Sequence, residues 1–107
     1  MFRKKKKEPK IELCELWSLN HTLAKIISRY LKEFIEASRP SGATPGSYCQ
    51  KNPENSWSLW EADLWKMQKA FADYAALDRP AEYPEEKRKE IRVGMQLFID
   101  KYDALWY

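Results

Sequence analysis

Apolar side chains recur every three or four residues in three segments of this chain, and this spacing constrains the fold more than any other feature. Residues three or four apart lie on one face of an α-helix, so each segment is predicted to form an amphipathic helix. The three apolar stripes are Leu23, Ile26, Ile27, Tyr30, Leu31, Phe34 and Ile35; Trp60, Leu64, Met67, Phe71 and Tyr74; and Ile91, Met95, Phe98, Tyr102 and Leu105. Their union is the predicted core.

Local signals place the ends of these helices. Asn20 is a favoured N-cap residue, Ser58 and Glu61 have the spacing of a capping box, and Pro84 is typical of a first helical turn. The predicted helices cover residues 20–38, 59–77 and 84–106. The predicted fold class is therefore all-α, a three-helix bundle whose last two helices are antiparallel neighbours.

A long loop is predicted between the first and second helices. Residues 39–55 contain three prolines and two glycines, a density that argues against any regular element. Loops of this length are uncommon in compact domains and are usually functional or mobile. Residues 11–17 leave two alternatives open, a short extended segment or an early helical turn.

Positive charge is concentrated at the start of the chain. The net charge of +3 divides into +5 for residues 1–10 and −2 for residues 11–107. By length the chain is one domain, so we predict a disordered basic arm over 1–10 and a single helical domain over 11–107. The candidates for nucleic-acid contact are Arg3, Lys4, Lys5, Lys6, Lys7 and Lys10.

Two of the predicted helices carry a second apolar face. Such a face suggests a partner, because a domain of 107 residues has one core to bury it in. The alternatives are a homodimer through the second and third helices, a cover formed by the long loop, or a partner helix. The residues predicted to form the interface are Trp65, Ala72 and Ala76 on the second helix, and Val93, Leu97 and Ala104 on the third.

The sequence carries no pattern typical of catalysis or cofactor binding. His21 is the only histidine, and a capping or packing role is favoured for it, because no serine or cysteine is tied to it by spacing. Together with Cys14 and Cys49 it falls short of the four ligands of a structural zinc site. We therefore predict neither enzyme activity, cofactor nor metal, and two reduced cysteines are the expectation for a chain without a secretory leader.

Three blocks of the chain carry a family resemblance. Residues 16–24 read L-W-S-L-N-H-T-L-A, and the later blocks are Trp60, Leu64, Met67, Ala70 and Phe71, then Gly94, Leu97, Phe98, Tyr102, Leu105 and Trp106. In these blocks the chain resembles a family of short uncharacterised helical proteins encoded by tailed bacteriophages and prophages. The lysine-rich arm is not part of the family pattern. The resemblance implies a phage context and a helical fold, and it brings no active site with it.

Together these features favour a non-enzymatic, phage-encoded binding protein that acts through a protein surface in the host cytoplasm. Occupying a host complex such as a defence effector is the expected task, and the partner is a host or phage protein. The alternative is a nucleic-acid-associated accessory protein that docks through its basic arm, since each phosphate contact adds salt-dependent affinity. No apolar run approaches the length of a membrane span, so no membrane partner is expected.

Overall fold

The computed structural model describes residues 10–51, 53–77 and 83–106, and every regular element in these ranges is helical. The α-helices are α1 (Leu13–Trp17), α2 (Leu19–Ser38), α3 (Gly46–Lys51), α4 (Ser56–Ala75) and α5 (Glu85–Asp100), followed by a 3₁₀ turn at Tyr102–Ala104. The all-α fold class is therefore confirmed. The three long helices α2, α4 and α5 correspond to the three predicted helices.

Helix α4 is the centre of the fold. Four residues of the predicted stripe are buried, Trp60, Leu64, Met67 and Phe71, and Leu64 and Met67 are 0% exposed. Ala70 is buried as well, whereas Tyr74 of the stripe is half-buried. One side of α4 packs against α2 and the other against α5, whereas α2 and α5 have little contact with each other. The arrangement therefore differs from a three-helix bundle in which each helix packs against both others, and the Cα atoms extend only 20 Å along the shortest axis.

Helix α2 buries only part of the predicted stripe. Its buried residues are Ala24, Ser28, Leu31, Ile35 and Ser38. Three of these are small, which lets the backbone of α2 approach α4 closely. The prediction that Leu23, Ile26 and Tyr30 belong to the core is wrong, because all three are exposed. The apolar arc of α2 is too wide for a single neighbouring helix to cover.

The end of the chain also departs from the prediction. The third predicted helix extends to residue 106, but α5 ends at Asp100 and gives way to 3₁₀ hydrogen bonds, such as Ala104 N to Lys101 O at 2.9 Å. Because the chain changes from α-helical to 3₁₀ hydrogen bonding, Tyr102 no longer lies on the apolar face of α5, and its side chain is exposed. Ile91 remains buried, and Phe98 packs edge-to-face on Phe71 with ring centroids 5.0 Å apart.

A short helix lies inside the segment predicted to be an irregular loop. Tyr48 anchors α3 to α4: its hydroxyl donates a hydrogen bond to Asp63, and its ring meets Trp60 edge-on at 5.1 Å. Burial and this hydrogen bond raise the pKa of Tyr48 well above its usual value. The Lys101 ammonium lies 5.1 Å from the centre of the same ring. A tertiary anchor therefore stabilises a helix of only six residues that local sequence does not favour.

Asn20 and Glu61, which were assigned to helix caps, make tertiary contacts instead. Helix α2 begins at Leu19, and the Asn20 amide donates a hydrogen bond to the Tyr74 hydroxyl at 2.7 Å. Helix α4 begins at Ser56, before the predicted capping box. Glu61 accepts a hydrogen bond from Arg39 Nε at 2.6 Å, and this bond raises the pKa of Arg39. Both contacts tie α2 to α4.

Leucine-to-alanine substitutions test which faces of α2 and α4 are buried. Leu64→Ala should lower the free energy of unfolding by about 2–5 kcal/mol, because a fully buried leucine leaves a cavity when truncated. Leu23→Ala, on the exposed side of α2, should cost less than about 1 kcal/mol. Chemical denaturation of the two variants measures both values. Equal losses would contradict the orientation of α2 described here.

Gly94 sits where α5 crosses α4. A Cβ atom added at this position would meet Ala70 Cβ and lie 2.6 Å from the Lys66 carbonyl oxygen, closer than van der Waals contact. The neighbour is backbone, which cannot turn aside as a flexible side chain can. Helices α4 and α5 therefore approach each other closely at Gly94.

Gly94→Ala should therefore destabilise the protein by about 1–3 kcal/mol through overpacking, although alanine favours a helix over glycine. Gly46→Ala is the matched control, because an added Cβ there has no atom within 4 Å and should change stability by only a few tenths of a kcal/mol. Thermal melts of both variants give the comparison. A stabilised Gly94→Ala variant would show that α4 and α5 lie further apart.

Candidate protein-binding face

The N-terminal part of the described chain forms a helical corner. Glu12 and Glu15 cap the five-residue α1 reciprocally, with Glu12 N donating to Glu15 Oε2 at 3.3 Å. Ser18 leaves the helical conformation between α1 and α2, with φ −119° and ψ 45°. Thr22 Oγ1 donates to the Glu15 carbonyl oxygen at 3.3 Å and holds the corner closed. These bonds settle the alternatives for residues 11–17 in favour of a helical turn.

Large apolar side chains on this corner face solvent. One side of α1 carries Leu13, Leu16 and Trp17. One side of α2 carries Leu19, Leu23, Ile26 and Tyr30, which are three or four residues apart. Trp17 is 79% exposed, and the other six are 44–72% exposed. We define the α1–α2 face as Leu13, Leu16, Trp17, Leu19, Leu23, Ile26 and Tyr30.

The α1–α2 face is larger than a monomer usually leaves in water. At these exposures, seven leucine, isoleucine and aromatic residues present on the order of 800 Å² of mostly apolar surface, about what one partner buries in a standard protein interface. The largest apolar patch of a typical monomer covers about 300–600 Å². On α2 the exposed stripe lies about 130° from the buried one, at roughly 100° per residue. The face is therefore a second apolar surface of α2.

The polar residues around the corner have structural roles. His21 packs against Tyr74 with ring centroids 5.5 Å apart and an interplanar angle of 40°. Its Nε2 atom is buried without a hydrogen-bond partner. Asn20 holds the Tyr74 hydroxyl, so both residues fix the start of α2 against the end of α4. This environment fits the packing role predicted for His21.

Sequence patterns missed this face because they assigned three of its residues to the core. Leu23, Ile26 and Tyr30 were expected to be buried, but all three are exposed in the structure. One signal was present in the sequence. The apolar arc of α2 spans more than half of its circumference, so it holds two adjoining faces, of which one neighbouring helix covers only one.

The six residues predicted as an interface on α4 and α5 are not all exposed. Trp65, Leu97 and Ala104 are partly buried against the core cluster around Trp60 and Phe71. Ala72 is also half-buried, whereas Ala76 is exposed. Val93 is 64% exposed and lies on the rim of the groove between α4 and α5. The interface assignment of these residues stays a prediction, with Val93 as its most exposed large side chain.

Of the residues predicted to contact nucleic acid, Lys10 is exposed. Arg3, Lys4, Lys5, Lys6 and Lys7 lie outside the described residues.

Asp73 lines the groove between α4 and α5 and forms ion pairs with a lysine from each helix. Its carboxylate accepts hydrogen bonds from Lys87 Nζ at 2.7 Å and from Lys69 Nζ at 2.9 Å, so it ties α5 to α4. Burial alone would raise the pKa of Asp73, but the two ammonium groups outweigh it and lower the pKa below the usual 3.8. The charged form of Asp73 is therefore favoured in the folded state.

A carboxylate with a lowered folded-state pKa stabilises the fold above its unfolded pKa, and the stabilisation is lost as the pH falls through the folded value. Asp73→Asn should therefore reduce stability at pH 7 by no more than about 1 kcal/mol, since the pair is partly solvated. The difference from the parent should shrink below about pH 4. Unfolding titrations at pH 7 and pH 3 test this. A difference of the same size at both values would exclude the charge as its cause.

The described residues offer little for other chemistry. In residues 10–51, 53–77 and 83–106 no three His, Cys, Asp or Glu side chains gather in a way that would hold a metal ion. Cys14 and Cys49 are both exposed free thiols. Over the same ranges, no helix combines the length and the apolarity needed to cross a bilayer.

Comparison of the chain with protein-family models, with curated proteins and with solved structures finds no match.

Proposed function

We propose that this chain is a non-enzymatic, phage-encoded helical binding protein that acts through a protein–protein surface, and that the α1–α2 face is this surface. The observation that carries the proposal is the exposure of seven large apolar side chains on one corner of the fold. Trp17 and Tyr30 belong to the residue types that dominate binding energy at interfaces. Covering them with a partner would remove the cost of hydrating them.

Two features favour this face over the α4–α5 side. First, α1 has no buried residue of its own and packs mainly on α2, so its apolar side chains contribute little to the core. Second, Trp65 and Leu97 on the α4–α5 side already contact the core cluster. A surface of about 800 Å² on one partner is typical of a stable, specific complex.

The partner class follows from the resemblance to phage proteins. We propose that the partner is a host protein in the cytoplasm, and that the chain inhibits a host complex, such as a defence effector, by occupying one of its apolar grooves. An apolar helical face fits the helix-in-groove mode of recognition, in which residues three, four and seven apart insert into one groove. The proposal requires no cofactor.

Matched variants on the two faces test this function. The full chain, its Leu23→Glu variant and its Val93→Glu variant are each used to capture partners from phage-infected host cells, with folding checked by circular dichroism. Both substitutions put a charge at an exposed apolar position, so neither should unfold the protein. We expect Leu23→Glu to lose the captured partner and Val93→Glu to retain it. Trp17→Ala should weaken binding by more than about 30-fold if Trp17 is a hot spot.

The same experiment evaluates the other assignments. Loss with Val93→Glu alone would move the interface to α4 and α5, and retention by both variants would exclude both faces. The alternative function, nucleic-acid association, is favoured by the +5 charge of the first ten residues. Deleting residues 2–8 should then abolish salt-dependent DNA or RNA binding and leave protein capture intact. If deletion removes the captured protein as well, the arm belongs to the protein interface.

A further inference from the structure

The exposed stripe of α2 has the same spacing when it is read in either direction. Leu19, Leu23, Ile26 and Tyr30 are four, three and four residues apart, so the stripe is symmetric about the point between residues 24 and 25. In two antiparallel copies of α2 related by a two-fold axis at this point, Leu19 lies against Tyr30 of the copy. Leu23 lies against Ile26 of the copy. Each exposed residue then meets another exposed residue, as a two-fold interface requires.

This stripe is also shaped for packing against a helix. Alternating steps of three and four residues form the seam along which two helices interlock in a coiled coil. The stripe lies about 130° from the residues of α2 that pack on α4, at roughly 100° per residue. A second copy therefore approaches α2 from a side that α4 leaves open.

The area of the α1–α2 face matches what a stable dimer needs. With about 800 Å² on each copy, a two-fold dimer would bury about 1,600 Å² in total, which is the size of a standard specific interface. The contribution of α1 follows from the antiparallel order. Because Leu19 meets Tyr30 of the copy, α1 lies beside the part of the copy's α2 that follows Tyr30, where Ala37 is exposed.

Opposite charges lie along one edge of the stripe. Thr22 and Arg29 are seven residues apart on this edge, and the two-fold axis places Arg29 near Thr22 of the copy. Thr22 Oγ1 donates to the Glu15 carbonyl oxygen at 3.3 Å, so Glu15 lies at the same point. Glu15 and Arg29 are both exposed, and neither forms an ion pair within residues 10–51, 53–77 and 83–106. Arg29 of each copy therefore comes near Glu15 of the other.

From these observations we propose that a second copy of this chain closes the α1–α2 face in an antiparallel, two-fold symmetric dimer. This dimer differs from the homodimer expected through α4 and α5. The inference rests on the proposed function in one respect, because the host protein is assigned to the same face. One face cannot hold both partners, so binding of the host protein separates the two copies.

Sedimentation equilibrium of the full chain, from low to high micromolar concentration, tests the dimer. We expect the mass to rise from 12.8 kDa towards twice that value. Leu23→Glu should weaken the dimer by more than about 30-fold, because the new charge is buried against an apolar residue of the copy. Val93→Glu, at an exposed apolar position outside the face, should leave the dimer unchanged. A parent chain that stays at 12.8 kDa at every concentration would overturn the proposal, as would equal dimerisation of the two variants.

Exchanging the charges tests the antiparallel arrangement. Arg29→Glu and Glu15→Arg should each weaken the dimer about tenfold, because like charges then meet at both ends of the interface. In an equal mixture the two variants should dimerise with each other, since every contact again joins opposite charges. Lys25→Glu is the control, because Lys25 is exposed but lies about 130° from the stripe. Circular dichroism checks helicity, since Glu15 also caps α1. A mixture that dimerises no better than its components would exclude this pairing.

Capture from infected cells separates this inference from the proposed function. A tagged chain mixed with an untagged copy should retain the host protein without the untagged copy, and a complex that holds both would overturn the competition between them. A parent that is monomeric, and whose Leu23→Glu variant still loses the host protein, would refute the dimer and leave the proposed function intact. A dimer that Leu23→Glu separates without loss of the host protein would exclude the proposed function and leave the dimer in place.

Discussion

The burial of α4 is the interaction on which the rest of the structure depends. Leu64 and Met67 are completely inaccessible, and α2 and α5 both rely on this helix for their own burial. Because α2 and α5 have little contact with each other, neither can replace α4 as the packing surface of its neighbour. The close approach at Gly94 on one side and the small residues Ala24 and Ser28 on the other let both helices reach it. The polar ties from Arg39 to Glu61 and from Lys87 to Asp73 add orientation at these two interfaces.

An arrangement centred on one helix leaves outer faces uncovered, and this explains where the candidate functional surface lies. In a bundle of three mutually packed helices, α5 would be expected to cover the second apolar side of α2. In the thin structure, 20 Å along its shortest axis, Leu23 and Ile26 of α2 remain exposed, as do Leu13 and Leu16 of α1.

Parts of the fold and of the site could be predicted from local patterns. The stripe of α4 was predicted correctly at Trp60, Leu64, Met67 and Phe71, because neighbouring helices cover both sides of α4 and bury these residues. The stripe of α2 was predicted only in part, since a wide apolar arc shows that the helix is amphipathic but not which half of it is buried. Tyr48 was hidden in a segment rich in proline and glycine, because its anchor on Asp63 comes from a residue fifteen positions away.

What the sequence determined by itself is the number of long helices, their approximate positions and the excess of apolar surface over what one small core can hold. These depend on periodicity and on chain length, which act locally or on the chain as a whole. The tertiary structure decided which face of α2 turns inward, the helical state of α3, the end of α5 at Asp100 and the exposure of Trp17. Each of these depends on contacts between residues distant in sequence, and periodicity carries no information about which helix meets which.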